Sequence, residues 1–299
     1  MAVDVGYVDN TGSEGVAHWQ FLLRIKALAE ANGWTTLRYL NPTPYTDASV
    51  VRELILQGVG LSGTDQIFVG FRAYQSQTAD YYNMSVAAFT GYVAANPFTS
   101  QPGFMESGFC AHNQRIDYWL VANAQRIALA IKVGAGSYQT AYVGKFLPYG
   151  TPSQYPYPVA CIGMLSSVAG ALNAQMVLRY SDVSYGMGLK GLTGGAGSAT
   201  YYGPNCRIRD VGGVWQQAYC APWQNGNYNV NRDTGGYYVA KKAVLYTASN
   251  VWGELQGFRF ISGFNQAVEN TCVIDGKPNV VIRDVTRTGF FDYCLLELN

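Results

Sequence analysis

Cys110 and His112, in the stretch FCAHNQR, are the closest approach of this sequence to a nucleophile beside a base. A nucleophilic thiol or hydroxyl needs a neighbouring base or positive charge that favours its ionised form. Two residues apart on an extended strand, the thiol and the imidazole would point to the same face. His18 is the only other histidine, so any catalytic triad would have to use one of these two. Because no activating partner is evident, we favour chance proximity over a Cys-His site.

Aspartates could supply the paired carboxylates of a glycoside hydrolase, which flank the scissile bond at a set separation. Six of them are scattered beside aromatic residues, and aromatic rings often line sugar sites. Nothing in the sequence shows which two would come together. Most are better interpreted as turn residues or as partners of nearby arginines. The six candidates are Asp80, Asp117, Asp210, Asp233, Asp284 and Asp292.

The segment GVGLSG, from Gly58 to Gly63, matches the G-x-G-x-x-G pattern of dinucleotide sites. Such a site needs a helix directly after the glycines, because the helix N-terminus holds the pyrophosphate. The following stretch, TDQIFVGFRAY, has the composition of a strand instead. We therefore predict a glycine-rich hairpin turn here and expect no cofactor.

Six cysteines are spread along the chain without the C-x-x-C spacing of a zinc site. With only two histidines available as further ligands, we expect no metal site. The sequence leaves two states open: buried free thiols, which the compartment rule favours, or disulfides formed after release from a cell. The six are Cys110, Cys161, Cys206, Cys220, Cys272 and Cys294.

The composition is poor in charge and rich in aromatic residues. Charged residues make up 13% of the chain, against roughly 25% in typical globular proteins, and aromatic residues make up 14%. Interface cores combine few charges with many Tyr, Trp and Phe, so surfaces shared with other subunits would explain both values. A large β protein with a tyrosine-rich core would explain them too. A net charge of +1 argues against nucleic acid as the main partner.

The N-terminal stretch MAVDVGYVDNTGSEG lacks the basic and apolar regions of a secretory signal. No run of residues approaches the ~18 apolar residues that a membrane-spanning helix needs. We therefore expect a soluble protein that is made in the cytosol and has no membrane span.

One helix and many strands must position any site. SEGVAHWQFLLRIKALAEANG predicts an amphipathic helix, with Ser13 as its N-cap and Gly33 just past its end. Short apolar runs separated by turn residues then predict strands almost to the C-terminus. The expected fold is α+β and predominantly β: a small N-terminal α/β domain, residues 1–100, with its helix on a sheet, followed by a larger antiparallel β sandwich- or barrel-like domain, residues 101–299. Glycine-rich loops are predicted at 186–204 and 224–236.

The stretch NVWGELQGFRFISGFNQAVENT, residues 250–271, alternates apolar with polar or small residues. Its four aromatic residues are separated from one another by even numbers of positions, so an unbroken strand would point all four side chains to one face. That face is either an assembly interface with another subunit or the core of the domain itself. The candidate interface residues are Trp252, Phe258, Phe260 and Phe264.

Segments in which strand-like runs are joined by turn residues cover most of the chain, from about residue 14 to the C-terminus. They include NGWTTLRY, ELILQGVGLSGTDQIFVGFRAYQSQTADYYNMSVAAFTGYV, IDYWLVANAQRIALAIKV, YVGKFLPYGTPSQYPYP, NVWGELQGFRFISGFNQAVENT and VVIRDVTRTGFFDYCLLEL. Together these stretches resemble a family of virion structural proteins of tailed bacteriophages.

The resemblance implies a non-enzymatic structural subunit, present in multiple copies in the tail or neck, including the collar or baseplate. It would be made in the host bacterial cytoplasm and located in the virion, with copies of itself and other virion proteins as partners. The resemblance carries over no functional residues. Two alternatives stay open: a receptor- or carbohydrate-binding tail-tip module that uses Tyr and Trp as stacking platforms, and a glycan-degrading enzyme that uses Asp or Glu.

Overall fold

The computed structural model describes residues 1–41, 51–76, 81–134, 136–163, 206–221, 239–247, 249–263, 266–283 and 293–299. Both predicted glycine-rich loops lie outside these residues, and so does Phe264. Within them the chain forms antiparallel strands and a single α-helix, which confirms the predicted α+β, predominantly β fold.

The described chain runs from a strand through the helix into a long succession of strands. In chain order the elements are β1 (Ala2–Asp9), α1 (Ala17–Glu30), β2 (Trp34–Leu40), β3 (Arg52–Gly58), β4 (Ile67–Ser76), β5 (Tyr81–Phe89), a short 3-10 helix (Phe98–Ser100), β6 (Met105–Cys110), β7 (Arg115–Asn123), β8 (Arg126–Val133), β9 (Ser137–Lys145), β10 (Leu147–Pro148), β11 (Val159–Ile162), β12 (Cys206–Arg209), β13 (Trp215–Gln217), β14 (Tyr219–Ala221), β15 (Lys241–Tyr246), β16 (Val251–Ile261), β17 (Thr271–Ile274), β18 (Lys277–Arg283) and β19 (Tyr293–Glu297). Most of the connections that are described are short turns, as hairpin-linked sheets require.

The strands form a central sheet with an outer sheet on each side. The central sheet has the strand order β1-β7-β8-β9-β11-β12-β13. Helix α1 and the first outer sheet, β2-β3-β4-β5-β6, pack against one of its faces. The second outer sheet, β14-β15-β16-β19-β18-β17 with β10 paired to β16, packs against the other. The predicted sandwich-like character is therefore present, as a stack of three layers.

The central sheet is buried on both faces, and this explains its continuous apolar sequences. On β8, Ile127 and Leu129 face helix α1 and the first outer sheet, whereas Ala128 and Ala130 face the second outer sheet. A strand that is covered on both sides loses the apolar–polar alternation of a half-buried strand. RIALAIKV on β8 and SYQTAYVGK on β9 are accordingly buried along almost their whole length.

Helix α1 begins later than predicted. Its N-cap is Val16, which makes no side-chain cap bond, and the N–H of Ala17 donates to the backbone carbonyl of Asn113 (N···O 2.9 Å). Ser13 is separated from the helix by a turn at Gly15 (φ +77°), so the predicted cap was wrong. Tertiary packing, and not a capping side chain, determines where the helix starts. The residues that it buries are Ala17, His18, Trp19, Phe21, Leu22, Ile25 and Ala29.

The G-x-G-x-x-G segment forms the turn between β3 and β4, which pair antiparallel. Gly60 and Gly63 have φ values of +66° and +77°, which glycine adopts readily. The N–H of Gly60 donates to the carbonyl of Ala124 (3.0 Å), so this turn rests on the turn between β7 and β8. The antiparallel pairing of β3 with β4 confirms the predicted hairpin. Strand β4 follows the glycines at the point where a dinucleotide site needs a helix.

Two sheets cross the predicted boundary at residue 100. Strand β1 pairs with β7 over its whole length, from Ala2 opposite Ala122 to Asp9 opposite Arg115. Strand β6 pairs with β5, so the first outer sheet extends past residue 100. The parts before and after that residue share one hydrophobic core between α1, the central sheet and the first outer sheet.

Candidate functional site

The predicted aromatic interface lies largely in the core. Phe258 and Phe260 are 2% and 1% exposed, and they pack between β16 and the central sheet. The ring centroid of Phe258 lies 6.5 Å from that of Tyr142 on β9. Their side chains are already covered within the chain, which is the second of the two alternatives left open for this face, the core of the domain itself. Trp252 is partly buried against the same core, and Phe264 lies outside the described residues.

Residues separated by even numbers of positions share a face only in an unbroken strand, and β16 is not unbroken. Its pairing with β15 shifts register between Lys242 and Val244. Gly257, with φ +85°, lies in the irregular part of β16. As a result Leu255 and Phe258, an odd number of residues apart, both point into the core. A register shift of this kind changes which face each side chain occupies, so spacing alone could not place the aromatic residues.

His18 lies in the fully buried contact between helix α1 and the first outer sheet. Burial lowers the pKa of its imidazole to about 3; Gln75 opposes this change, while Arg52 and His112 add to it. The two histidines of the chain are therefore close enough to interact electrostatically. An imidazole with so low a pKa is neutral at physiological pH and a weak general base.

Cys110 and His112 lie at the end of β6 and in the turn after it. The N–H of Cys110 donates to Oε1 of Gln139 on β9 (3.3 Å). The N–H of Gln114 donates to Nδ1 of His112 (3.0 Å), a local contact within the turn. These contacts hold the end of β6 and shape the turn that follows. The interpretation of this pair as chance proximity stays a prediction.

Two of the six candidate aspartates are among the described residues, and both have local partners. Nη2 of Arg115 donates to Oδ1 of Asp117 (2.8 Å) on β7. The N–H groups of Gly212 and Val214 donate to Oδ1 of Asp210 (2.9 Å each) and close the turn between β12 and β13. An arginine partner and a turn residue are the roles predicted for aspartates of this kind. The others, outside the described residues, are Asp80, Asp233, Asp284 and Asp292.

Glu106 on β6 is a buried carboxylate that no local motif reveals. It is 1% exposed, and Nε and Nη2 of Arg72 on β4 donate to it at 2.8 and 2.7 Å. The hydroxyl of Ser85 on β5 donates to the same carboxylate. The Arg72 guanidinium lies 5.0 Å from the ring centroid of Phe98. Because a bidentate arginine matches its charge, this carboxylate is better suited to holding three strands together than to proton transfer.

All six cysteines are free thiols in this structure, which is the first of the two states that the sequence left open. Cys161 and Cys206 are fully buried. Burial raises the pKa of Cys206 to about 12, and it also raises the pKa values of Cys161 and Cys220. Since the thiolate is the reactive form, these three thiols are poor nucleophiles.

A cavity of about 440 Å³, bordered by β8 and β16, contains two carboxylates, Glu254 and Glu297. Nζ of Lys242 lies 3.0 Å from Oε2 of Glu254, and Nζ of Lys277 lies 2.6 Å from Oε1 of Glu297. A glycosidase needs one carboxyl group that stays protonated and one that is free to attack or to activate water. Two carboxylates that are each paired with a lysine do not match that requirement.

Strand β1 carries a row of exposed apolar side chains. Val3, Val5 and Tyr7 are 41%, 51% and 56% exposed, and as alternate residues of one strand they share a face. Strand β1 forms the edge of the central sheet: β7 pairs with one side of it, and no strand of the described chain pairs with the other. The recurrence of Val3, Val5 and Tyr7 at every second residue is the sequence signal that could have predicted this strand.

Neither a protein-family model nor a curated protein matches this chain. In the described ranges, no group of three or more His, Cys, Asp and Glu side chains is arranged to hold a metal ion. No helix in the same ranges is long and apolar enough to cross a membrane. Among the features described above, the exposed apolar row on β1 is the one with a clear physical use, since another chain can cover it.

Proposed function

We propose that this chain is a non-enzymatic structural subunit of a tailed bacteriophage virion, assembled in multiple copies in the tail or neck. Its partners are copies of itself and other virion proteins. The resemblance along most of the sequence supports the phage assignment. The edge strand β1 supports the proposed assembly in multiple copies.

The edge strand β1 carries the assembly proposal. An exposed strand edge offers unpaired N–H and C=O groups to another chain, and proteins that stay monomeric usually protect such edges. The apolar row of Val3, Val5 and Tyr7 adds side-chain area that another subunit can cover. Charged residues make up only 13% of the chain and its net charge is +1, which removes much of the repulsion between like subunits.

The state of the candidate chemical groups supports a non-enzymatic role. The imidazole of His18 is held neutral by burial, and the thiol of Cys206 resists ionisation. Glu106 is matched by Arg72. Groups tuned in this way stabilise a fold, whereas catalytic acids and bases have pKa values near the working pH.

Purified phage particles test the proposal directly. Tailed particles from a culture that produces the chain would be separated on a density gradient, and their proteins quantified by mass spectrometry. We expect the chain in the particle fraction at several copies per particle, and labelled antibodies should locate it at the tail or neck. A chain that stays in the particle-free fraction would contradict the proposal.

A second assay tests the glycan-degrading alternative. Polysaccharide turnover would be measured for the unmodified chain and for Glu254→Gln and Glu297→Gln, which alter the two carboxylates of the 440 Å³ cavity. We expect no turnover above background for any of the three. Turnover that either substitution removes would replace the structural role with an enzymatic one.

A further inference from the structure

We propose that β1 is a self-pairing edge: β1 of one copy pairs antiparallel with β1 of a second copy, around a two-fold axis that passes through Val5. The central sheets of the two copies then continue into each other. This inference rests on the proposed function, since assembly in multiple copies places a second copy of the chain within reach of every β1.

Within the part of the chain that the structure describes, the edge of β1 lacks the devices that normally prevent such pairing. Edge strands are commonly protected by lysine, proline, a bulge or an inward-pointing charge. AVDVGYVD contains neither lysine nor proline, and its pairing with β7 runs from Ala2 to Asp9 without a register shift. The carboxylate of Asp4 is held at 3.3 Å by Nε of Arg24 on helix α1, so it does not guard the open edge.

A two-fold axis at Val5 makes the strand complementary to itself. Val5 of each copy lies opposite Val5 of the other, and Val3 lies opposite Tyr7. An aliphatic side chain opposite an aromatic one is a favourable cross-strand pair. On the other face each Asp4 lies opposite Gly6, so the two carboxylates avoid each other.

The neighbouring registers that keep the apolar row on one face are worse. Moving the axis to Asp4 places the two Asp4 carboxylates directly opposite, which is destabilising. Moving it to Gly6 places Val3 opposite Asp9, whose carboxylate already accepts hydrogen bonds from Thr11. The register centred on Val5 is the one that pairs apolar with apolar and separates the acids.

Charge at the proposed axis gives the first test. Val5→Lys puts two ammonium groups opposite each other, yet it leaves the single chain intact because Val5 is 51% exposed. The matched control is Val273→Lys, a 70% exposed position on β17, the edge strand of the second outer sheet. Light scattering after size-exclusion chromatography would measure the dissociation constant of the pair. We expect Val5→Lys to raise it about ten-fold or more, since like charges that face each other across an interface repel, and Val273→Lys to leave it unchanged.

Cysteine cross-linking tests the register. Under mild oxidation Val5→Cys should form covalent dimers rapidly, because the two introduced thiols face each other. Val3→Cys should cross-link no faster than Val273→Cys, which measures random collision, whereas Val3→Cys combined with Tyr7→Cys should cross-link as fast as Val5→Cys. The unmodified chain controls for its own six cysteines.

Each outcome supports or overturns a stated part of the proposal. A monomeric chain whose Val5→Cys variant cross-links no faster than Val273→Cys overturns self-pairing, as does a multimer that Val5→Lys leaves intact. Equal rates for Val3→Cys and Val5→Cys overturn the register. A chain found in tailed particles without Val5 cross-linking would reject self-pairing alone, and a cross-linked chain absent from particles would reject the virion role alone.

Discussion

Arg52 lies over the indole of Trp19, with its guanidinium carbon 3.5 Å from the ring centroid, and both side chains are 1% exposed. The contact joins the first turn of helix α1 to the start of β3. A guanidinium on an aromatic face gains about 2 kcal/mol or more when it is desolvated. Glu14, which forms an ion pair with Arg52, supplies the balancing negative charge. This cluster anchors the helix at the end where no side chain caps it.

Removing the partner of Arg52 should destabilise the chain strongly. Glu14→Gln leaves a buried guanidinium without its carboxylate, and breaking a buried pair in this way costs roughly 3–5 kcal/mol. Because the Glu14 side chain is 15% exposed, we expect the lower end of that range. Urea unfolding would measure the free energy of unfolding. The control is Lys26→Gln, which removes the surface pair with Glu30 and should cost less than about 0.5 kcal/mol; equal losses for the two variants would refute the argument.

For the ion pair between Arg72 and Glu106, we expect the removal of one partner to cost more stability than the removal of both. Glu106→Gln removes the charge that balances Arg72 and should cost about 3 kcal/mol or more. The double variant Arg72→Met, Glu106→Leu removes both charges and should lose less than the single one, because apolar residues often replace a buried pair without cost. Thermal unfolding would compare the two. A double variant that is less stable than Glu106→Gln would show that the pair contributes more than it costs to bury.

His18 should make stability depend on pH in acid. Its folded-state pKa is about 3 and its ordinary value is 6.5, so between these pH values the unfolded chain binds a proton that the folded chain does not. The free energy of unfolding should therefore fall as the pH falls from 6.5 towards 3, by about 1.4 kcal/mol per pH unit from this group. Above pH 7 the group contributes no pH dependence.

Comparison with His18→Gln isolates this slope, since the carboxylates titrate in both proteins. Urea midpoints measured from pH 4 to pH 7.5 should converge towards acid pH, with the unmodified chain losing stability faster. His112→Gln serves as the control: it removes only the smallest cause of the low His18 pKa and should keep most of the slope of the unmodified chain. Parallel curves for the unmodified chain and His18→Gln would disprove a buried neutral imidazole.

The thiols should differ in reactivity according to burial. Four cysteines are buried and should react with a thiol reagent only after unfolding: Cys110, Cys161, Cys206 and Cys220. Burial also raises the pKa values of Cys161, Cys206 and Cys220. Cys272 and Cys294 are partly exposed and should react in the native state. Absorbance of the released reagent, followed with and without denaturant, counts both classes. Six reactive thiols in denaturant without a reductant would confirm that no disulfide forms, and fewer would contradict it.

Local patterns predicted the elements of this fold better than their arrangement. The spacing of Trp19, Leu22 and their neighbours predicts a helix, and the glycines from Gly58 to Gly63 predict a hairpin; both are confirmed. The predicted cap at Ser13 was wrong, because a carbonyl from the turn after β6 takes the place of a capping side chain. The two residues of that contact, Ala17 and Asn113, are far apart in the sequence, so no local pattern could predict it.

The candidate sites show the same division. Strand β1 was not predicted, although Val3, Val5 and Tyr7 recur at every second residue, and its pairing with β7 is a contact between distant parts of the chain. The even-numbered separation of Phe258 and Phe260 correctly predicted that both side chains point to one face of β16. It could not show that the central sheet covers that face. Glu106, Arg72 and Ser85 come from three strands and have no common sequence signal.

The sequence by itself determined the fold class, helix α1, the hairpin turn between β3 and β4 and the low share of charged residues, because these follow from composition and from periods of a few residues. Tertiary structure alone decided that the central sheet is covered on both faces, that Phe258 and Phe260 belong to the core and that β1 is left at an edge. Those outcomes depend on which distant strands pair and on which faces the layers cover, and the free energy that selects them comes from contacts between residues far apart in the chain.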